Sequence, residues 1–142
     1  MKRKAIPKAV RLNVYNKYNG HCAYCGKEIA YKDMQVDHLI PQRRANLGGR
    51  GHVDIELIET EENYMPACRK CNHYKRANKL ETFRRYIEEI PKKLSEGNYI
   101  YKIGKLYGLI EEKPRKIKFY YELVEEEKHN DWRIFKRIYC RT

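Results

Sequence analysis

Apolar and polar positions change period several times along this chain, and each change marks an element. From Pro7, a residue suited to a first helical turn, Val10, Val14, Tyr15 and Tyr18 recur at helical spacing until Asn19-Gly20 stops them, which predicts a short helix. Met34-Gln35-Val36-Asp37-His38-Leu39-Ile40 alternates and breaks at Pro41, predicting a short strand whose end presents Asp37 and His38. Residues 42–52 form a glycine-rich basic loop, and Val53 to Ile58 alternates again, predicting the returning strand of a β-hairpin. Residues 61–66 read as a connector in which Pro66 argues against a helix. After Cys68 the residues to Lys79 favour a helix, with Asn72, Lys75, Arg76 and Lys79 on one polar face.

Further on, Leu80, Phe83, Ile87 and Ile90 make an apolar helical stripe that Pro91 stops or kinks, and residues 95–97 are a break. Ile100, Ile103, Leu106, Tyr107 and Ile110 sketch a weaker helix, whereas Ile117, Phe119, Tyr121 and Leu123 alternate with polar neighbours as a late strand. Glu125 to Glu127 read as a solvated patch, and the amphipathic tail with Trp132 and Phe135 is suited to dock on the body or on another copy. Residues 1–5 read as a disordered basic arm. The expected division is residues 1–90 as one domain and 91–142 as an extension, packed on it or used in oligomerisation, with monomer and homodimer both open.

Composition changes the picture in two ways. The 142 residues are 42% hydrophobic, but 13 of them are tyrosines, whose hydroxyls need water or partners, so the core is expected to be thin. The formal net charge is +12, concentrated before His21, where no acid occurs, and between Arg69 and Arg85, where only Glu81 opposes it. No apolar run approaches a membrane span, so the expected partner is a polyanion, nucleic acid before any other.

The cysteines supply the strongest chemical signal. Cys22-x-x-Cys25 and Cys68-x-x-Cys71 stand 42 residues apart, the ligand spacing of a four-thiolate structural zinc site. No cleavable apolar leader opens the chain, so the thiols are expected to stay reduced in a cytoplasmic location, which disfavours two disulfides. Two pairs bracketing one segment also fit a redox motif poorly, and Cys140 reads as a free thiol. Between and beside the pairs lie the parts of a phosphodiester hydrolase: His38 as a base, with neutral imidazole available near pH 7, and Asn72 as a neutral oxygen ligand for a hard cation such as magnesium. Asp37 is expected to converge with His38 on one cleft at a frayed strand end.

Taken together, Cys22-x-x-Cys25, Val36-Asp37-His38-Leu39-Ile40-Pro41, Gly48-Gly49, Glu62-Asn63-Tyr64 and Cys68-x-x-Cys71-Asn72-x-x-Lys75 resemble the HNH endonuclease family in its zinc-stapled form, over residues 6–85. The resemblance implies an α+β protein with a ββα-metal core, flanked by the first helix and the C-terminal extension, that cuts DNA with a divalent ion, magnesium or manganese. It implies His38 as general base, Asp37 and Asn72 as ligands of the catalytic ion, Asn63 as the asparagine that orients the base, and zinc on Cys22, Cys25, Cys68 and Cys71. Asn46 in the loop rivals Asn63, and His73 rivals Asn72. Arg43, Arg44, Arg50, Lys75 and Arg76 are the expected DNA contacts. A zinc-stapled module that binds DNA without cutting is the alternative; a structural, partner-binding knuckle leaves the basic clusters unexplained.

Overall fold

In the computed structural model, which describes residues 5–46 and 48–139 with side chains to residue 130, one short antiparallel pair organises the first half of the chain. Strand β1 (Gln35–His38) lies where the alternation predicts, and it pairs with β2 (Tyr64–Ala67) so that Asp37 opposes Met65 and His38 opposes Tyr64.

The return strand is therefore not at residues 53–58. Of the apolar residues there only Ile58 is fully buried, Leu57 is 62% exposed, and residues Ile55–Ile58 close a single helical turn, α2. The true partner strand is buried at all four positions, so it carries no alternation to read. Pro66 is tolerated because a two-stranded sheet consists of edges; its carbonyl accepts from Ala23 N at 2.8 Å.

Helix α1 (Lys8–Asn16) forms as predicted and buries Val14 against Ile29, Met34 and Tyr64. Lys17, at its end, donates from Nζ to the carbonyls of Glu61 and Tyr64, each at 2.8 Å, which fixes the helix to β2. The chain then reverses through Asn19 and Gly20, both at positive φ; a Cβ at Gly20 would meet the Tyr15 hydroxyl at 2.8 Å, so glycine is required twice over. Helix α3 (Arg69–Lys75) is shorter than predicted. Arg76 adopts φ 52° and ends it, so the polar face expected to run on to Lys79 does not form.

Contacts group the described residues up to Ala77, with those from Lys118 onward, into one unit, and Asn78–Ile117 into a second. The second contains α4 (Leu80–Glu88), α5 (Ile90–Gly97) and α6 (Tyr99–Leu106). Pro91 stands in the first turn of α5, where its missing N–H costs nothing, and Asn98 caps α6 by accepting from Tyr101 N at 2.9 Å. A returning segment is tied down by Glu112, which accepts from Ser95, Tyr101 and Lys105, and by Glu88, which accepts from Ile117 N at 2.9 Å.

The late strand expected around residues 117–123 is instead the start of α7 (Tyr120–Tyr139), in the first unit. Glu122, three residues past the cap position, reaches back to accept from Phe119 N at 2.7 Å, the acceptor half of a capping box. Phe119 and Tyr121 are buried against the first cysteine knuckle, with Tyr121 N donating to Ala23 O at 2.9 Å; the alternation is a docked helix start. Helices around one small sheet make the class α+β. No described helix is long and apolar enough to cross a membrane. The readings on residues 1–4, Leu47, Cys140, and the side chains of Trp132 and Phe135 lie outside the described residues.

Candidate metal centre and catalytic site

The four paired cysteines meet. Their Sγ atoms all lie within 4.8 Å of one another, and Cys25 and Cys68 are 3.9 Å apart, close to the edge of about 3.8 Å that four thiolates at about 2.3 Å from a tetrahedral ion would define. Backbone amides face the sulfurs: Cys68 N reaches Cys22 Sγ at 3.3 Å, and Cys71 N reaches Cys68 Sγ at 3.5 Å. All four are free of disulfides. Hydrogen bonding from Cys71 holds the Cys22 thiol down at about 5, and the same bond pushes Cys71 up, so protons are crowded where a cation would replace them. The donor set fits zinc.

Asp37 is buried, and its surroundings follow from the two periodicities. Gln35 and Asp37 share one face of β1, and Asn72 and Lys75 share one face of α3. Across that seam Asn72 Nδ2 donates to Gln35 Oε1 at 2.7 Å, and Lys75 Nζ lies 2.9 Å from Asp37 Oδ2. Lys75 Nζ also donates to His38 O at 2.9 Å, and the Tyr24 hydroxyl donates to Asp37 Oδ2. Burial, and then the Asp37 charge, push Tyr24 well above the usual phenol range, so it stays a donor. Both contacts fall on Oδ2, which leaves Oδ1 of Asp37 without a partner among the described residues, as Oδ1 of Asn72 is also left. One carboxylate and one amide oxygen suit a hard divalent ion that takes its remaining ligands from water or phosphate.

His38 leaves β1 on the other face, and the strand is paired up to it, so the expected fraying that would bring the two side chains together is absent. Its ring stands edge-on to Tyr64 at 5.0 Å, and its Nε2 lies 3.3 Å from Glu59 Oε1. That approach is too poorly aligned for a hydrogen bond, and Nε2 is buried with no other partner. Asn63 touches no imidazole atom by hydrogen bond. Its Oδ1 accepts from Ile40 N at 2.7 Å and its Nδ2 donates to Ile40 O and Ile58 O at 3.0 and 2.9 Å, so it clamps the backbone two residues beyond His38.

Residues 22–88 match the HNH endonuclease family. They belong to it. Over 65 residues the chain is 31% identical to the CRISPR-associated endonuclease Cas9 of Corynebacterium diphtheriae, covering 46% of this chain and 5% of that protein. A crystal structure of the Type II-C Cas9 enzyme from Actinomyces naeslundii shares 26% identity at a TM-score of 0.44, covering 61% of this chain and 8% of that one. The chain thus spans a small fraction of either relative's length.

Within the HNH segment, rival residues separate. Asn46 is exposed at the end of a turn in the loop, whereas Asn63 is buried in the clamp; His73 is exposed, whereas Asn72 faces Gln35. Arg43, Arg44 and Arg50 lie in the loop that follows His38, Arg43 and Arg50 exposed and Arg44 half-buried; Arg76 is exposed beyond α3. Lys75 is a correction: it is 0% exposed and neutralises Asp37, so it does not offer its charge to DNA. Sequence reasoning also missed Glu59, Tyr24 and Gln35, for which only proximity to the motif residues was a signal. It missed a groove of ≈ 850 Å³ on the Gln35 side, to which Arg11, Lys32 and Arg69 contribute.

Proposed function

We propose that this chain is a divalent-metal-dependent DNA endonuclease with a structural zinc on Cys22, Cys25, Cys68 and Cys71. The observation that carries the reading is Asp37: a buried carboxylate held on one oxygen by Lys75 and Tyr24, with no hydrogen bond from the described residues on its other oxygen, as on the amide oxygen of Asn72 in the helix that packs against β1. A module that only binds DNA has no use for that arrangement next to His38.

Asp37 and Asn72 would hold magnesium or manganese, whose charge offsets the charge that builds on the phosphate and leaving oxygens. His38, on the opposite face of β1, accepts a proton from water; the water oxygen bonds to phosphorus, and the bond from phosphorus to the leaving oxygen breaks. Adjacent Cα atoms are only about 3.8 Å apart, so a phosphate lying across the strand end is within reach of both faces. Asn63 holds the chain at Ile40 so that His38 keeps its place. Arg43, Arg44, Arg50 and Arg76, with the groove residues Arg11, Lys32 and Arg69, supply backbone charge without reading bases.

The test is conversion of supercoiled plasmid with and without magnesium or manganese. His38→Ala should lower the rate by about 10²–10⁴-fold while zinc content, folding and DNA affinity persist. Asp37→Ala and Asn72→Ala should raise the ion concentration needed and be partly rescued by more of it. Wild-type protein that binds plasmid but never nicks it with either ion would establish the binding-module alternative.

A further inference from the structure

We propose that Glu59 is a positioning residue for His38, fixing the imidazole with its proton on Nε2 so that Nδ1 is the basic atom. The inference rests on His38 as the base but concerns the tautomer, which is measurable without DNA.

Three observations carry it. Nε2 is buried and makes no hydrogen bond, so water does not reach it, while Glu59 Oε1 stands 3.3 Å away. An ionised carboxylate is an acceptor only, so a lone pair on Nε2 facing it would be repelled, whereas an N–H there is attracted. Nδ1 receives no hydrogen bond from any described residue and keeps its lone pair for water.

Glu59 is itself held as a positioning group should be. Gln42 Nε2 donates to its Oε1 at 2.5 Å, and the Tyr64 hydroxyl donates to its Oε2 at 2.7 Å. Burial alone would raise this carboxyl, but the bonds from Gln42 and Tyr64, with the attraction of His38, together outweigh it and hold it below the usual range, so it stays an anion. Tyr64 also supplies the ring against which the imidazole stands, so one residue fixes both partners. A base, an acid that orients it, and groups that orient the acid form the general logic of an activated site.

The experiment uses the full chain with zinc and without a catalytic ion, labelled with ¹⁵N in its histidines, and reads the two-bond ¹H–¹⁵N pattern of His38. The expected wild-type pattern is the Nε2–H tautomer, and Glu59→Ala should move it toward a mixture containing Nδ1–H. Single-turnover cleavage should fall about 10- to 100-fold in that variant, the range for a partner acting through another group, with DNA affinity unchanged or tighter. Glu59→Gln, which keeps the shape and an acceptor oxygen, should retain part of the rate and covers the case in which the alanine variant misfolds. A wild-type Nδ1–H tautomer would overturn the proposal, as would folded Glu59→Ala with unaltered tautomer and rate. If the tautomer moves as expected but wild-type protein cuts nothing, the positioning stands and the nuclease reading fails.

Discussion

Lys75→Met should cost this fold more than any other single change to a lysine. The ammonium is fully buried, 2.9 Å from Asp37 Oδ2 and 2.9 Å from His38 O, and the carboxylate it neutralises is only 6% exposed. Methionine restores much of the volume but leaves a buried anion without its cation, a loss of about 3–5 kcal/mol in comparable pairs. At about 4 °C per kcal/mol, where the ranges for smaller and larger domains meet, the melting temperature should fall by about 12 °C or more. Urea unfolding with zinc present measures the change as a shift in midpoint at constant slope. Asp37→Asn in the same chain should recover part of the loss, since the stranded charge is then gone. A second arm distinguishes this lysine from a phosphate contact. Under conditions where Lys75→Met is folded, the slope of log K against log salt for DNA binding should match wild type. Each exposed arginine removed from the loop should instead reduce the slope by about 0.9. A destabilisation below about 1 kcal/mol, outside the range for broken buried pairs, combined with a reduced salt slope, would refute the assignment and return Lys75 to the DNA surface.

Cys68→Ser should release zinc and unfold the first unit, because Cys68 is both a ligand position and the acceptor that caps α3; metal analysis with circular dichroism checks both. Asn63→Ala should cost about 2–4 kcal/mol, since three backbone groups lose their partner at about 1 kcal/mol each. The same variant should cut slowly without rescue by added magnesium, and a defect at Asn46→Ala in its place would move that role to the loop.

How much of this was legible in the sequence depended on how many residues a feature needs. The cysteine cluster was, because ligand spacing is a local signature and chelation forces distant pairs together. Helix α1 was, because it has one wet and one dry face, and strand β1 was, because apolar and polar residue types alternate along it. Strand β2 was not. Its four residues are covered on both sides, by β1 and by the Cys22 knuckle, so burial there has no period, and Pro66 reads as a veto when only one edge is considered. Lys75 was misassigned for a related reason: charge in a sequence defaults to the surface, and its burial depends on a carboxylate 38 positions earlier. Asn63 was identified by resemblance, but its contacts with Ile40 and Ile58 belong to a loop closure that no local pattern encodes.

The metal centre and the proposed catalytic carboxylate are not separate devices. Tyr24 lies inside the first cysteine pair, is 4% exposed, and donates its hydroxyl to Asp37; the same knuckle receives the start of α7 through Tyr24 O and Ala23 O. A core with so few aliphatic side chains cannot by itself hold a buried anion in one orientation. The knuckle can once zinc is bound, because the ion would pin its backbone at Cys22 and Cys25 on either side of the tyrosine, and a pinned phenol loses little further entropy when it donates. Lys75 completes the hold from α3, whose own N-terminus is set by the second cysteine pair. Both groups that orient Asp37 are therefore anchored to the cysteine cluster, one through each pair, while His38 is set from the opposite face by Tyr64 and Glu59. The two halves of the proposed chemistry thus have different side-chain supports, joined through the backbone of residues 37 and 38 and through the Ala23 N to Pro66 O bond that ties the knuckle to β2. Losing zinc should accordingly loosen the ion-binding face first, with the imidazole face, held by the hydrogen bonds of Asn63 and Tyr64, following as the first unit unfolds.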